Sequence, residues 1–176
     1  MLINERNTRR ERLLAVADAM MTAARTAPKG KGFDIIEVAT ITGETVKSVA
    51  DAMLRIAEET GHKFLIRDAD NLLQSEAAVL IGTRRYPHKL NCAYCGYATC
   101  DEKPAAVPCA INTTDVGIAI GSACAVAADS RVDSRVMFSV GRAAKRLSLL
   151  PDCDCIFGIP ISCSSKNPFF DRIFEK

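Results

Sequence analysis

Apolar residues recur along the chain at two different periods, and the period assigns the elements. Over residues 4–26, Leu13, Val16, Ala17, Met20 and Ala24 follow one another at three- and four-residue steps, with Glu11, Asp18, Thr22 and Arg25 on the other side. That spacing predicts an amphipathic helix. Pro28 disfavours helical geometry at Ala27, and Gly30 and Gly32 make APKGKG a flexible loop that carries Lys29 and Lys31. The short branched run DIIEVATI, 34–41, suits a buried strand. After a turn at Thr42 and Gly43, Val46, Val49, Ala50, Met53, Ile56 and Ala57 form a second helical stripe capped by Gly61. AAVLIGTRR, beginning at Ala77, predicts a second strand, and residues 62–76 carry no assigned element.

Regular structure is then interrupted. Pro87, Pro104 and Pro108 exclude it from most of the segment 86–110. TTDVGIAIGSACAVAAD, 113–129, opens on good capping residues and is almost free of polar side chains, so a thin helix, apolar all round, is expected to be enclosed by neighbours at the centre of the fold. Residues 134–150 predict a more amphipathic helix with Val136, Val140, Ala144 and Leu147 on one side, and DCIFGIPI, 154–161, predicts a last strand. The order of elements implies an α+β fold, with helices packed on a small mixed or antiparallel sheet and the segment 86–110 inserted as a loop. One domain spanning 1–176 is the expectation at this length.

Charge narrows the partners. A net charge of +2 gives no basic excess to suit nucleic acid or an anionic membrane. The N-terminus scatters charges through its apolar positions, unlike a signal peptide, and no apolar run approaches the roughly 20 residues that cross a bilayer. The expectation is a soluble, cytoplasmic protein.

Cysteine usage then points to chemistry. In a reducing compartment, eight cysteines are more readily explained by metal binding or catalysis than by disulfides. Four of them, Cys92, Cys95, Cys100 and Cys109, lie in NCAYCGYATCDEKPAAVPC with the spacing C-x2-C-x4-C-x8-C, where Ala93, Gly96 and Ala98 let the loop curl round a cation. Soft thiolates select zinc, copper(I) or iron-sulfur clusters. A structural zinc site commonly uses two C-x2-C knuckles, and the second is missing here. Three bunched cysteines and a fourth beyond a proline-rich stretch fit better round an iron-sulfur cube, with zinc and an unmetallated loop as the alternatives. Cys124, Cys153, Cys155 and Cys163 read as bystanders, and His62 and His88 as surface residues.

Two family resemblances follow from longer stretches. AARTAPKGKGFD, IGTRRYPHKLNCAYCGYATC, the run from PCAINTTDVGIAIG to GRAAKRL, and GIPISCSSKNPFFDR together resemble a bacterial and archaeal family of ferredoxin-domain-containing proteins, over residues 4–172. That resemblance implies Cys92, Cys95, Cys100 and Cys109 as the ligands of a 4Fe-4S cluster. The order AARTAP, strand, helix, strand, small-residue helix, helix and GIPIS resembles a shortened nitroreductase. This second likeness implies a homodimer with the small-residue helix in its core and FMN at the dimer interface. It also implies phosphate-binding residues at the first helix and near the C-terminus: Arg9 or Arg10, Arg25, Lys29, Lys31, Lys166 and Arg172.

The residues themselves weigh these positions unequally. Arg9 and Arg10 lie near the stripe at a helix start, where cations oppose the macrodipole and an anionic partner would help them. Lys29 and Lys31 sit beside glycines that let backbone approach a phosphate. Ordinary solvation explains Arg25, and pairing with Asp171 or Glu175 explains Lys166 and Arg172. The implied function is electron transfer by an iron-sulfur redox protein serving an unknown redox partner protein; the nitroreductase likeness adds FMN as a second cofactor and, with it, a flavin-dependent oxidoreductase activity. The alternative is a structural or regulatory zinc or iron-sulfur module that acts through protein association.

Overall fold

A computed structural model describes residues 1–170. Helix α1, Glu5–Thr26, starts at Asn4, whose side chain accepts the Arg6 N–H at 3.0 Å, and buries Leu13, Ala17, Met20 and Ala24. A single 3-10 turn at Gly30–Gly32 leads to strand β1, Ile36–Thr42. Helix α2, Glu44–Thr60, ends at Gly61 in the left-handed conformation, φ 70°, as expected of a glycine cap. Helix α3, Phe64–Leu73, was not anticipated, although Leu65, Ala69 and Leu72 carry its buried stripe at four- and three-residue steps. Strand β2, Ala77–Arg84, precedes the cysteine loop, and helix α4, Ala110–Asp129, follows it.

The helix expected over 134–150 is shorter. Residues Asp133–Ser134 form strand β3, and helix α5 covers only Phe138–Arg146, because Ser134 and Met137 bond to the last strand instead. That strand, β4, spans Cys153–Ser162.

The four strands form one antiparallel sheet in the order β1-β2-β4-β3, so the antiparallel form of the expected sheet is the one found. The sheet lies between two helical layers, each with its own apolar cluster. Alternation along β2 sends Ala77, Val79 and Ile81 towards α1 and α4, and Ala78 and Leu80 towards α2, α3 and α5. Both faces of β2 are therefore covered, which is why AAVLI is an unbroken apolar run. On the second side α5 meets β4 closely: a Cβ on Gly141 would lie 1.7 Å from the Ile156 carbonyl oxygen.

Helix α4 departs from the expected enclosure. Val116, Ala119, Ala123 and Ala127 pack against α1 and the sheet, whereas Gly117, Ile118, Gly121 and Ala125 are exposed. The chain covers one side of this helix and leaves a stripe of small apolar residues open. By length and composition α4 is also apolar enough to cross a membrane, which corrects the expectation that no apolar run approaches that length. Asp115 is buried near the helix start, and the packing of α4 on α1 makes it a core helix of this fold.

Candidate metal and cofactor site

The cysteine loop is tied down at both roots by one buried network. His88, fully buried, places Nδ1 2.6 Å from Asn112 Oδ1 and Nε2 2.9 Å from the Gly30 carbonyl oxygen. The Asn112 orientation follows from its amide, which donates to the carbonyl oxygens of Arg84 at 3.2 Å and Tyr86 at 2.9 Å. Asp115, also buried, lies 3.3 Å from His88 Nε2 and accepts the Gly30 N–H at 3.0 and 3.1 Å. Both ring nitrogens thus face side-chain or backbone oxygens. Phe33 stacks on the ring at 5.8 Å. His88 precedes the first loop cysteine by four positions and Asn112 follows the last by three, so the network clamps entry and exit of the loop onto the Gly30 turn.

His88 is a correction to the expectation of a surface residue. The signals that could have exposed it are Asp115 and Asn112, two polar side chains at the start of an otherwise apolar helix, which require a buried partner.

Within the loop, backbone turns replace regular structure. Lys89, Asn91, Ala93 and Gly96 all have positive φ, and the Gly96 N–H donates to the Ala93 carbonyl at 2.9 Å. Asn91 brackets Cys100: its side-chain oxygen accepts the Cys100 N–H at 2.8 Å, and its own N–H points at Cys100 Sγ at 3.4 Å. Such N–H contacts to a ligand sulfur stabilise thiolate charge and tune a bound centre. Lys89 pairs with Asp101, and Lys103 Nζ donates to the carbonyl oxygens of Pro104 and Val107 at 3.1 and 2.5 Å.

The four thiols of Cys92, Cys95, Cys100 and Cys109 are free and half-buried. Four soft donors in one curled loop suit an iron-sulfur cluster or another thiophilic centre. Among the described residues no three His, Cys, Asp or Glu side chains converge tightly enough to hold a single metal ion. The other cysteines sit differently. Burial pushes the Cys153 thiol up to about 11, and burial likewise raises Cys124, Cys155 and Cys163.

The basic residues singled out for a phosphate separate into two groups. Arg25 donates to Asp34 Oδ1 at 2.5 Å and to the Ile36 carbonyl at 2.6 Å. Lys29 caps α1, with Nζ donating to the carbonyl oxygens of Ala24, Arg25 and Ala27. Lys31 donates to the His88 carbonyl at 3.3 Å and lies over the Phe33 ring. Arg9 stands 16 residues earlier on the same helix, about 24 Å away by helical rise, where Glu5 holds it at 2.7 Å. No single phosphate reaches both groups within one chain.

At the Arg9 end a cavity of about 170 Å³ is lined by Arg9, Arg12, Arg131, Val132 and Cys163 among others. Arg131, held at φ 57°, joins this group from the turn after α4 and was not singled out from the sequence. Arg10 is exposed, as is Lys166, three residues beyond Cys163. Arg172 lies outside the described residues, as do its suggested partners.

Comparison with solved structures places the architecture. The fold is similar to the nitroreductase CinD from Lactococcus lactis in complex with nicotinic acid, with a TM-score of 0.61 over 93% of this chain and 84% of that one at 15% identity. It is also similar to a BluB-like flavoprotein from Clostridium difficile, with a TM-score of 0.56 over 92% and 84% at 16% identity. An oxidoreductase containing FMN matches with a TM-score of 0.54 over 86% and 67% at 12% identity. These likenesses define the class by fold, and the fold is that of the nitroreductases.

Sequence comparison gives the family. Residues 105–172 match the family described as "Uncharacterized protein containing a ferredoxin domain (DUF2148)". An uncharacterized protein from Archaeoglobus fulgidus is 39% identical over 186 residues, covering all of both chains. The chain belongs to this family of ferredoxin-domain proteins.

Proposed function

We propose that this single-domain chain is an electron-transfer protein in which Cys92, Cys95, Cys100 and Cys109 hold a 4Fe-4S cluster. The observation that carries the reading is the state of those thiols: free, half-buried, in one loop whose two roots are clamped by His88, Asn112 and Asp115. A rooted loop loses less conformational entropy when it closes round a cluster than a loose one would. The cluster would supply one-electron chemistry, while this chain's residues position the thiolates and direct Asn91 N–H at Cys100. The spacing C-x2-C-x4-C-x8-C, with one C-x2-C knuckle and no second, supports a cluster over a single zinc ion.

The second cofactor of the proposal is FMN, which a fold neighbour contains. The Arg9, Arg12 and Arg131 cavity supports a phosphate at the start of α1, and the exposed stripe Gly117, Gly121 and Ala125 supports a homodimer formed across α4. Arg10, Lys166 and Arg172 remain candidates at that end, and Arg25, Lys29 and Lys31 at the other. A cytoplasmic setting, with a redox partner protein, completes the reading.

Metal, sulfide and flavin analysis of protein purified without oxygen tests it. Iron and acid-labile sulfide in equal amounts are expected, together with FMN if the second cofactor is held. One zinc per chain without sulfide would overturn the cluster.

A further inference from the structure

A cleft separates the cysteine loop from the sheet edge and α5. Its outer chamber, about 680 Å³, is lined by Arg85, Lys89, Cys100, Lys103 and Lys145 with Asp154. An inner recess shares Arg85, Pro87, Lys103, Ala105 and Asp154 with that chamber and reaches Cys109 and Asn112. Two of the four loop thiols therefore stand on the walls of one cavity.

Its charge is unbalanced. Arg85 Nε and Lys145 Nζ approach the same oxygen, Asp154 Oδ1, at 2.5 and 3.3 Å, so one carboxylate serves two cations. Lys89 takes Asp101. Lys103 Nζ donates to the carbonyl oxygens of Pro104 and Val107 and, among the described residues, pairs with no carboxylate. Among the lining side chains other than the thiols, four cations against Asp101 and Asp154 leave an excess of two positive charges, in a concave site whose low-dielectric walls focus the field on an incoming anion. Pro87, Ala105 and Ala106 add an apolar wall that suits a carbon skeleton. The volume is that of a small-molecule pocket.

We infer that this cleft binds a small organic anion, with carboxylate or phosphate oxygens against Lys145, Arg85 and Lys103 and its skeleton against Ala105 and Ala106. The inference rests on the proposed cluster for its consequence: the anion would lie against Cys100 and Cys109 and act as an effector of the centre they hold.

Calorimetric titration of malonate and of inorganic phosphate into the full-length, anaerobically purified protein at low salt tests the cleft, with the visible spectrum followed in parallel. Saturable binding of either anion is expected, weakened about tenfold or more by Lys145→Glu, which turns an attraction into a repulsion. Lys47→Glu, on α2 beside Glu44, should leave the affinity unchanged. Where a cluster is present, saturation should also shift its visible bands. Binding with the same variant pattern but in colourless, sulfide-free protein would uphold the cleft and sink the cluster. No saturable binding of either anion, or equal binding by the wild type and Lys145→Glu, would overturn the inference.

Discussion

Cys100 lies half-buried in a loop without regular structure, bracketed by the backbone and side chain of Asn91, whereas Cys153 is 1% exposed at the start of β4, in space that Gly82 leaves by lacking a side chain. The two thiols belong to one chain and meet different physics. Around Cys153 the sheet and α5 remove water, and the neutral thiol is favoured. Around Cys100 the Asn91 N–H and partial exposure favour a sulfur that can act as a ligand. A cysteine's role here follows from which side of the β2–α4 connection holds it, and the proximity of Cys153 to Cys155 in sequence does not make a site.

The strongest way to break that comparison is to damage the packing that hides Cys153. Gly141→Ala would set a methyl group 1.7 Å from the Ile156 carbonyl oxygen, so α5 must leave β4. We expect several kcal/mol of destabilisation, of the order found for severe overpacking, read as a large fall in the thermal midpoint and exposure of Cys153 to alkylation.

His88→Ala acts next, at the roots of the loop. It leaves the buried Asn112 Oδ1 without its ring partner, at an expected cost of about 1–3 kcal/mol in a chemical denaturation curve, with the loop freed at its entry. His88→Gln, which keeps a donor, should recover part of that loss.

Substituting the thiols themselves separates the two regions. Cys100→Ala should abolish iron and sulfide incorporation while the metal-free protein keeps its thermal midpoint within a few degrees. Cys153→Ala should do the reverse, retaining the metal and losing about 1–2 kcal/mol of stability from the buried sulfur.

The smallest effect is on pH. A thiol held up to about 11 in the fold but near 9.0 when unfolded ionises first in the unfolded chain. Its stabilising contribution is complete below pH 9 and declines as pH rises from about 9 to about 11. Iodoacetamide at pH 8 should therefore label the metal-free loop cysteines well before Cys153, and equal rates would contradict the contrast.

Much of the framework was legible because it obeys simple periods. Leu13, Ala17, Met20 and Ala24 gave α1, and the unbroken AAVLI gave the central strand. Helix α3 was not read because its ten residues carry a stripe of only three apolar positions, too short to stand out among polar neighbours. The exposed side of α4 could not be read either, since a helix apolar all round does not show which face its own chain covers. For the site, spacing picked out the four cysteines, but their clamp joins Gly30, His88 and Asp115 across long separations that no local pattern encodes.

The central claim is that the loop holds a redox-active cluster, and reversible reduction tests it most directly. Anaerobically purified protein should show broad visible absorption that bleaches on adding a low-potential reductant and returns on reoxidation, with about four iron and four sulfide per chain before and after the cycle. A colourless protein with one zinc per chain, unchanged by reductant, would contradict the account.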